Sequence, residues 1–495
     1  MEYSIITLYL VALLLPLIYI FLDRRQSYWK KRGVPHLKPH FIYGNIKGVG
    51  KTVHLMDPIN EIYNVYKDSS VLAGITFLLG NVYIAMDLDL IKNIMVKDFS
   101  NFADRTTFIN EKDDPLTANM LNLSGKQWQE IRTKLTPTFT SGKMKFMYPT
   151  ISKVANEMTS VLKEMVIKDS QINIRDIVSR FTVDVIGNCA FGIECNSLVN
   201  ANSEFLEKGR IGLMKPRHGP LLMTFIRSFP KLASALRFKV LREDVSSFFM
   251  NMVKETVDYR EQNNVVHNDF MNILISLKNN PETNLTLNQI SAQAFLFFIA
   301  GFETSSTVLT FAVYELALNE EIQEKARSEI LQALGDQENI QFDQISNLTY
   351  LNMVYQETLR KYPPAPIVMR KAKSSYHVDG TNFDFEADQR IIIPIYAIQH
   401  DDKIYPNPGM FDPNRFSPEE IAKRPSNAWM PFGDGPRNCI GSRFAKIQVF
   451  SGLIQLLTNF KFTVSEQTQV PMKFCNKHFL LIPEKEVFIK METLA

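Results

Sequence analysis

The stretch PFGDGPRNCIGSRFA, from Pro431 to Ala445, decides the fold of this chain. It places Cys439, one of only four cysteines, just before a predicted helix that starts near Ile440. Four cysteines in 495 residues are too few for a disulfide framework and suit a reducing compartment. A cysteine in this setting is either a buried core thiol or the ligand of a bound group. The positions whose spacing separates these two interpretations are Phe432, Gly435, Arg437, Cys439 and Gly441.

Composition and patterning predict a fold that is mainly α, of the α+β class. The chain is 45% hydrophobic and 22% charged, which is typical of a globular protein with a large core. A net charge of +3 is too small for a nucleic-acid-binding protein. Helical periodicity dominates residues 149–332, apart from a break at 215–230, with β-like patterns on either side. The β-like segments are 71–86 with a turn at Gly80-Asn81, 376–385 with a turn at Asp379-Gly380, 390–396 and 479–490.

The first residues predict a membrane anchor. From Tyr3 to Leu22 the chain has no charge, which is about the length of apolar helix that crosses a bilayer. The basic residues between 24 and 32 follow at once and should stay on the cytosolic side. A cleaved signal peptide is the alternative, but it would carry its positive charge before the apolar run. We therefore predict an anchor over 1–23, a basic linker with two prolines over 24–45, and a single large domain over 46–495.

Three shorter patterns place reactive side chains on predicted helices. A helix that begins at Thr286, with Gln289 completing a capping box, carries the sequence AGFET at 300–304. Small residues at Ala300 and Gly301 open room on one helix face, and the Thr304 hydroxyl can bond back to the Ala300 carbonyl. The other two patterns are pairs that share a helix face, namely Glu357 with Arg360 and Trp128 with Arg132.

The cysteine stretch resembles the haem-binding signature F-x-x-G-x-R-x-C-x-G of the cytochrome P-450 superfamily and matches it at every fixed position. The segments AGFET, ETLR and WQEIR resemble further motifs of that family and occur in the family's order. The resemblance implies the family's triangular, mostly helical prism with a small β region. It also implies haem b as the cofactor, with Cys439 as the thiolate ligand of the iron, a ligand that favours cleavage of the O–O bond.

The resemblance also implies roles for the residues of these motifs. Glu303 and Thr304 would relay protons to reduced oxygen, which would sit in a groove at Ala300. The haem-binding set would comprise Cys439, Phe432, Gly435, Arg437 and Gly441, then Ala300, and the propionate partners Trp128, Arg132, Arg370 and Arg105.

A buried ion network and an apolar substrate lining are implied in the same way. Glu357 and Arg360 would form the network with Arg415, although Asn414 stands before that arginine where the family often has Glu. The substrate contacts implied by position are Phe108, Leu296, Ala300, Ala365, Val368, Phe479 and Leu480.

The family resemblance implies a monooxygenase that inserts one atom of O2 into small lipophilic substrates. Several segments look most like insect microsomal members associated with detoxification, so plant toxins, insecticides or endogenous lipids are the expected substrates. Electrons would come from NADPH through a flavin-containing cytochrome reductase, with cytochrome b5 as a second candidate partner. The expected location is the endoplasmic reticulum membrane, with the body in the cytosol. Candidate residues for docking the reductase are Lys134, Arg443 and Lys446.

Two other functions share part of this pattern. A haem-thiolate isomerase or dehydratase would keep Cys439 but need neither O2 nor a reductase. A membrane-bound haem sensor or ligand-binding protein would have no use for Glu303 and Thr304. Consumption of NADPH in the presence of the reductase distinguishes a monooxygenase from both.

Overall fold

Helices make up most of the computed structural model, which describes residues 2–267, 269–281 and 284–494. The helices of the first half are α1 (Glu2–Gln26), α2 (Tyr28–Lys31), α3 (Met56–Tyr66), α4 (Leu88–Lys92), α5 (Phe99–Phe102), α6 (Gly125–Leu135), α7 (Ser141–Lys168), α8 (Ile174–Ile186), α9 (Glu204–Met214), α10 (Pro220–Ser228), α11 (Pro230–Ala235) and α12 (Glu243–Gln262). Those of the second half are α13 (Phe270–Asn279), α14 (Leu287–Leu318), α15 (Glu320–Leu334), α16 (Thr349–Lys361), α17 (Ile395–Gln399), α18 (Pro418–Ala422) and α19 (Ser442–Asn459). The strands are β1 (Leu72–Phe77), β2 (Gly80–Ala85), β3 (Gln171–Asn173), β4 (Val368–Lys371), β5 (Tyr376–His377), β6 (Asp384–Phe385), β7 (Arg390–Ile393), β8 (Phe460–Val464) and β9 (Phe488–Thr493).

Helix α14 is the centre of the core. It begins with the predicted capping box, in which the Gln289 N–H donates to the Thr286 hydroxyl and the Thr286 N–H donates to the Gln289 side chain. By length and composition α14 could cross a membrane, but 67% of its most apolar window is buried. It packs against α8, α12 and α19, so it serves as the central core helix.

A four-stranded sheet, in the order β1-β2-β7-β4, forms a second layer. Strand β2 runs antiparallel to β1 and parallel to β7, and β4 returns antiparallel to β7. The fully buried Trp29 lies against this sheet at Gly74, where a Cβ would be 2.3 Å from the indole ring. The segment 24–45, predicted as a linker, therefore contributes Trp29 and Val34 to the core under the sheet.

The first hairpin turns at residues 78–79, and the turn predicted at Gly80-Asn81 is wrong. Both of those residues belong to β2, where Asn81 pairs with Thr76 across the strands. The Thr76 hydroxyl donates to the Asn81 side-chain oxygen at 2.9 Å. This cross-strand hydrogen bond stabilises Asn81 within β2.

Two further predictions needed correction, and two were confirmed. The break predicted at 215–230 contains helix α10, since Pro220 starts this helix at a position where the missing N–H has no intrahelical partner anyway. The predicted strand at 479–490 is regular only from Phe488, because the Leu481 N–H donates to the Pro364 carbonyl instead of a sheet neighbour. The turn at 379–380 and a strand within 390–396 were predicted correctly.

Candidate functional site

Cys439 lies in a tightly folded loop before α19. The Cys439 N–H donates to the Phe432 carbonyl at 2.8 Å and closes the loop. Gly433 and Gly435 both have a positive φ, +70° and +68°, which other residues adopt at a cost. Helix α19 begins at Ser442, slightly later than predicted, so the cysteine stands just outside its N-terminal turn.

The two glycines of the motif differ in how closely other protein atoms approach them. A Cβ on Gly435 would lie 1.9 Å from the Met95 carbonyl oxygen, so no other residue fits there. At Gly441 φ is −89°, and a Cβ would meet nothing nearer than a Phe139 ring atom at 3.8 Å. The protein itself leaves room in front of Gly441, as expected where a flat group approaches the backbone closely.

Cys439 has accessible surface, yet protein atoms surround its thiol densely. We infer from these two features that the cysteine borders an internal cavity. Burial raises the pKa of the thiol, whereas the Gly441 N–H and the guanidinium groups of Arg132 and Arg105 lower it. A thiolate here needs a further positive charge, such as a metal ion, to be stable at neutral pH.

Three arginines, Arg105, Arg370 and Arg437, form a largely buried cluster beside the cysteine loop. Arg105 donates to the Arg437 carbonyl at 3.0 Å, and the Arg437 guanidinium donates to the carbonyls of Ala103 and Leu123. Burial lowers the pKa of Arg105 to about 10 and that of Arg437 to about 9. Burial, with repulsion from the other two arginines, also lowers the pKa of Arg370.

This arginine cluster is short of negative charge. In the described part of the chain its one carboxylate partner is Asp104, which lies 3.9 Å from Arg437. The Nε atoms of all three arginines are buried and have no hydrogen-bond partner among the described residues. Buried cations without counter-charge are unfavourable. The cluster therefore fits a ligand that brings more than one negative charge.

Helix α6 presents Trp128 and Arg132 to the cysteine loop. The Arg437 guanidinium lies over the Trp128 ring, 4.8 Å from its centroid. Arg132 donates to the Asn438 carbonyl at 3.0 Å and to the Asn438 side-chain oxygen at 2.9 Å. Helix α6 therefore contacts both Arg437 of the arginine cluster and Asn438, the residue before Cys439.

Helix α14 has a small accessible surface in the middle of the core. Ala300 and Thr304, one turn apart, keep accessible surface although most of the helix is buried. The Thr304 hydroxyl donates to the Ala300 carbonyl at 2.6 Å, as predicted from the sequence. Leu296, one turn earlier on the same face, is half-buried. The ring centroids of Phe297 in α14 and Phe444 in α19 are 5.6 Å apart, so this part of α14 is close to the helix that follows Cys439.

Glu303 and Gly301 face helix α8 instead. The buried Glu303 carboxylate accepts a hydrogen bond from Arg175 of α8 at 3.1 Å. A Cβ on Gly301 would lie 2.5 Å from Cδ1 of Ile186, so this glycine allows α8 and α14 to pack closely. The room that the sequence predicted at Gly301 is therefore filled by Ile186.

A buried ion network supports the segment that leads into the cysteine loop. Arg360 donates to both carboxylate oxygens of Glu357, at 2.7 and 2.8 Å, and the Arg415 Nε lies 3.5 Å from Glu357. Burial raises the pKa of Glu357, while Arg360 opposes that shift. Arg360 also donates to the Gln399 carbonyl, and the Gln399 side-chain oxygen accepts from the Met430 N–H at 3.2 Å.

Two segments that carry predicted substrate contacts lie side by side. The Leu481 N–H donates to the Pro364 carbonyl at 2.9 Å, which places Leu480 beside Ala365. Phe479 is 47% exposed, so its side chain is not packed into the core.

The other two predicted substrate contacts have different surroundings. Val368 shares a face of β4 with Arg370 and lies towards the arginine cluster. Phe108 is almost completely buried and packs with Ile226 and Ala233 of α10 and α11. Its contacts are therefore with these two helices.

Sequence reasoning missed several residues of the site. Gly433 lies inside the quoted stretch, and a second glycine in a tight turn was an available signal for its positive φ. Arg175 has no local signal, because 128 positions separate it from Glu303. Asn438, the partner of Arg132, is not a fixed position of the motif.

Comparison with known proteins gives consistent results over nearly the whole chain. A family model described as cytochrome P450 matches residues 34–491. Cytochrome P450 6A1 of Musca domestica is 42% identical, over 100% of this chain and 99% of the relative. Cytochrome P450 6a8 of Drosophila melanogaster is 47% identical over 98% of both chains. Probable cytochrome P450 6a18 of the same fly is 47% identical over 94% of both.

Proposed function

The chain belongs to the cytochrome P450 family, and on that premise we propose that it oxidises small lipophilic molecules at a membrane with electrons from NADPH. The family makes it a haem-thiolate monooxygenase. The observation that carries the proposal is the position of Cys439, in an interior loop next to buried arginines that lack counter-charge.

Haem b fits the residues that are present. Its iron would supply the positive charge that a buried Cys439 thiolate requires. Its two propionates would supply the negative charge that Arg105, Arg370 and Arg437 lack, with the planar guanidinium groups well suited to carboxylates. When bound through a thiolate, haem activates O2 so that one oxygen atom can enter a substrate.

The residues of α14 would handle protons in the cavity. The Thr304 hydroxyl stands on the accessible face and can exchange hydrogen bonds with water there. The Glu303 carboxylate lies against Arg175, so it has to leave Arg175 and take up a proton before it can donate one into the cavity. We therefore assign the direct role to Thr304 and make Glu303 a proton source whose availability depends on Arg175.

Helix α1 supports a membrane location. The large apolar side chains at 13–15 and 17–21 are exposed along it, and Arg24 and Arg25 lie in its last turn. An apolar surface of this kind is covered when the helix lies in a bilayer. We place α1 in the endoplasmic reticulum membrane and the remaining domain in the cytosol.

The partner that delivers electrons would dock on the side of α6 and α19. Lys134 and Arg443 offer positive charge there for an acidic reductase surface, or for cytochrome b5. Lys446 is a weaker candidate than the sequence suggests, because its ammonium lies 5.0 Å from the centre of the Phe450 ring and is half-buried.

The substrate class follows from apolar side chains around the cavity. Leu296, Ala300, Ala365 and Leu480 offer few polar groups for recognition. Apolar pockets discriminate by only about 1–3 kcal/mol per methylene, so a range of lipophilic substrates should be accepted, including plant toxins, insecticides and endogenous lipids.

The first test is the carbon monoxide difference spectrum of the dithionite-reduced, full-length protein in membranes. We expect the long-wavelength Soret band of thiolate-bound haem and its loss in Cys439→Ala. With reductase, NADPH and a lipophilic substrate, O2 consumption and oxidised product should follow. A short-wavelength band on fresh wild-type protein would overturn the proposal. So would a thiolate band without any NADPH oxidation, which is the behaviour of an isomerase.

The proton-handling role has its own test. Thr304→Ala should keep the thiolate spectrum but divert electrons from NADPH into hydrogen peroxide, because the hydroxyl is lost. Thr304→Ser keeps a hydroxyl at the same place and should restore most of the coupling between NADPH consumption and product. Unchanged coupling in the alanine variant would remove Thr304 from the mechanism.

A further inference from the structure

The loop at 362–367 joins α16 to β4. Three of its six residues are prolines, which have no backbone N–H to donate. Neighbouring segments donate to its carbonyls instead. The Leu481 N–H bonds to the Pro364 carbonyl at 2.9 Å, and a second N–H, that of Tyr396, bonds to the Pro366 carbonyl at the same distance. The middle of the loop is therefore held by the backbone of two other segments.

The first residue of the loop, Tyr362, is held by the core helix α14. Its ring stacks on Phe311, with the ring centroids 4.2 Å apart and the planes at 12° to each other. Its hydroxyl donates to the carboxylate of Glu315, one turn further along the same helix. Glu315 also forms an ion pair with Lys361 at 2.8 Å. Tyr362 and Glu315 are almost completely buried, so water does not compete for the hydrogen bond between them.

The hydroxyl of Tyr362 gives this contact its direction. Burial, together with the neighbouring Glu315 carboxylate, raises the pKa of Tyr362, so its hydroxyl stays protonated and acts as the donor. A hydrogen bond to a carboxylate is strong and directional. Stacked rings, in contrast, can slide over each other at little cost. The bond to Glu315 therefore determines one position of Tyr362 along α14.

This contact links the loop to the helix that carries Thr304. Phe311 lies two turns after Thr304 and therefore on the same face of α14. Further along the loop, Ala365 is only half-buried, whereas Pro364 and Pro366 on either side of it are buried. The loop thus presents Ala365 to accessible space. A shift of the loop along α14 would change the distance between Ala365 and Thr304.

We propose that Tyr362, through its bond to Glu315, is a positioning residue that fixes the place of Ala365 at the cavity and so selects lipophilic molecules by shape. The inference rests on the function proposed above. Ala365 touches the bound molecule, and Tyr362 acts through it. Without the hydroxyl the loop takes several positions. Contacts with a large ligand then weaken, whereas a ligand too small to reach the loop is unaffected.

The test compares two ligands of different size in the full-length haem protein. Imidazole and 4-phenylimidazole both bind haem iron through a ring nitrogen, but only the second carries a phenyl ring that reaches the walls of the cavity. Their Kd values are measured by titration of the Soret band. Tyr362→Phe keeps the stacked ring and removes the hydroxyl. It should raise the Kd of 4-phenylimidazole about three- to tenfold, the effect of one buried hydrogen bond, and leave the Kd of imidazole unchanged.

A second variant tests the other partner of the bond. Glu315→Gln keeps an acceptor oxygen without the charge, so its Kd for 4-phenylimidazole should lie between those of the wild type and Tyr362→Phe. The double variant should bind 4-phenylimidazole no more weakly than Tyr362→Phe alone, because both residues act through one bond. If Tyr362→Phe does not incorporate haem, Glu315→Gln decides by itself.

The matched control is Tyr148→Phe, which removes another buried tyrosine hydroxyl, the donor to the Ile340 carbonyl. It should lower the thermal midpoint as Tyr362→Phe does, but leave the Kd values of both ligands unchanged. Amide hydrogen exchange at Leu481 gives a second readout, since this N–H bonds to the loop. It should accelerate in Tyr362→Phe and not in the control.

A wild-type Kd for 4-phenylimidazole in folded Tyr362→Phe would overturn the proposal. Equal weakening of both ligands would also overturn it, because imidazole does not reach the loop. Failure of the proposed function would appear differently, as a missing thiolate band or absent turnover in the wild type. The hydrogen-exchange comparison at Leu481 would still report on Tyr362 in that case.

Discussion

A single glycine in the cysteine loop provides a sharp test at the scale of one residue. Gly435→Ala should prevent stable haem incorporation, because the new Cβ would have to share space with the Met95 carbonyl oxygen, 1.9 Å away, in addition to a φ of +68°. The measurement is the yield of the thiolate spectrum per folded protein, with the thermal unfolding midpoint.

The matched control for this substitution is Gly433→Ala in the same loop. Gly433 has nearly the same φ, +70°, but its Cβ would meet nothing closer than 3.9 Å. It should therefore show only the left-handed backbone penalty, about 1–2 kcal/mol, and keep its haem. Equal damage in the two variants would mean that backbone conformation, and not contact with Met95, requires glycine at 435.

A buried histidine predicts a pH dependence of stability. Burial lowers the pKa of His400 to about 3, and its ring stacks on Tyr396 at 3.9 Å. Between about pH 6.5 and 3 the unfolded chain binds a proton that the folded protein does not, so folding stability falls as the pH falls.

The matched variant for this titration is His400→Gln. Between pH 7 and pH 5 the wild type should lose about 2 kcal/mol more unfolding free energy than this variant, because glutamine has no titrating group. Urea unfolding of both proteins at the two pH values measures this difference. A constant difference would mean that His400 titrates normally in the folded protein.

At the scale of elements, the pair on α16 tests how much a buried ion network stabilises the fold. Glu357 and Arg360 are both fully buried and three residues apart. Arg360→Met should lower the unfolding free energy by about 3–5 kcal/mol, since the buried carboxylate loses its two-bond cation and keeps only the Asp412 N–H and the more distant Arg415 among the described residues. In the double variant with Glu357→Gln, much of that loss should be recovered, which a double-mutant cycle measures.

The chain offers an exposed pair of the same spacing as the control. Glu420 and Lys423 are also three residues apart and 2.5 Å from each other, but both are largely exposed. Removing one partner there should change the unfolding free energy by less than about 1 kcal/mol. Similar losses at both pairs would show that the buried network contributes no more to the unfolding free energy than an exposed ion pair does.

Elements defined by local chemistry were predictable, and those decided by distant partners were not. The capping box at Thr286 is contained in four consecutive residues, and the helix begins there. The hairpin turn was misplaced because Asn81 bonds to Thr76 of the opposite strand, a partner that no local turn preference includes. The cysteine motif was readable for the same reason as the capping box, whereas the contact between Glu303 and Arg175 joins two different helices.

At the scale of the whole molecule, the segment predicted as a linker between anchor and body makes contacts with the sheet. Arg25 donates to the carbonyls of Leu78 and Phe41 at 2.5 and 2.7 Å, and Trp29 is fully buried under the sheet. In the sequence this region is basic and contains prolines. Nothing in that pattern predicts that the aromatic side chain of Trp29 packs on Gly74. We therefore propose that the body starts soon after the last apolar residues of α1.

That boundary predicts how two truncations will differ. Deleting residues 2–22 removes the exposed apolar part of α1 but keeps Arg25 and Trp29, so this protein should fold, give the thiolate spectrum and move largely from membranes to the soluble fraction. Deleting residues 2–30 also removes the buried indole, and loss of a buried Trp costs about 3–5 kcal/mol, so the thermal midpoint should fall clearly. The measurements are sedimentation with membranes and thermal unfolding. If the shorter deletion stayed on membranes, α1 would not be the main anchor, and the exposed Leu221 of α10 and Leu236 after α11 would mark the next surface to test.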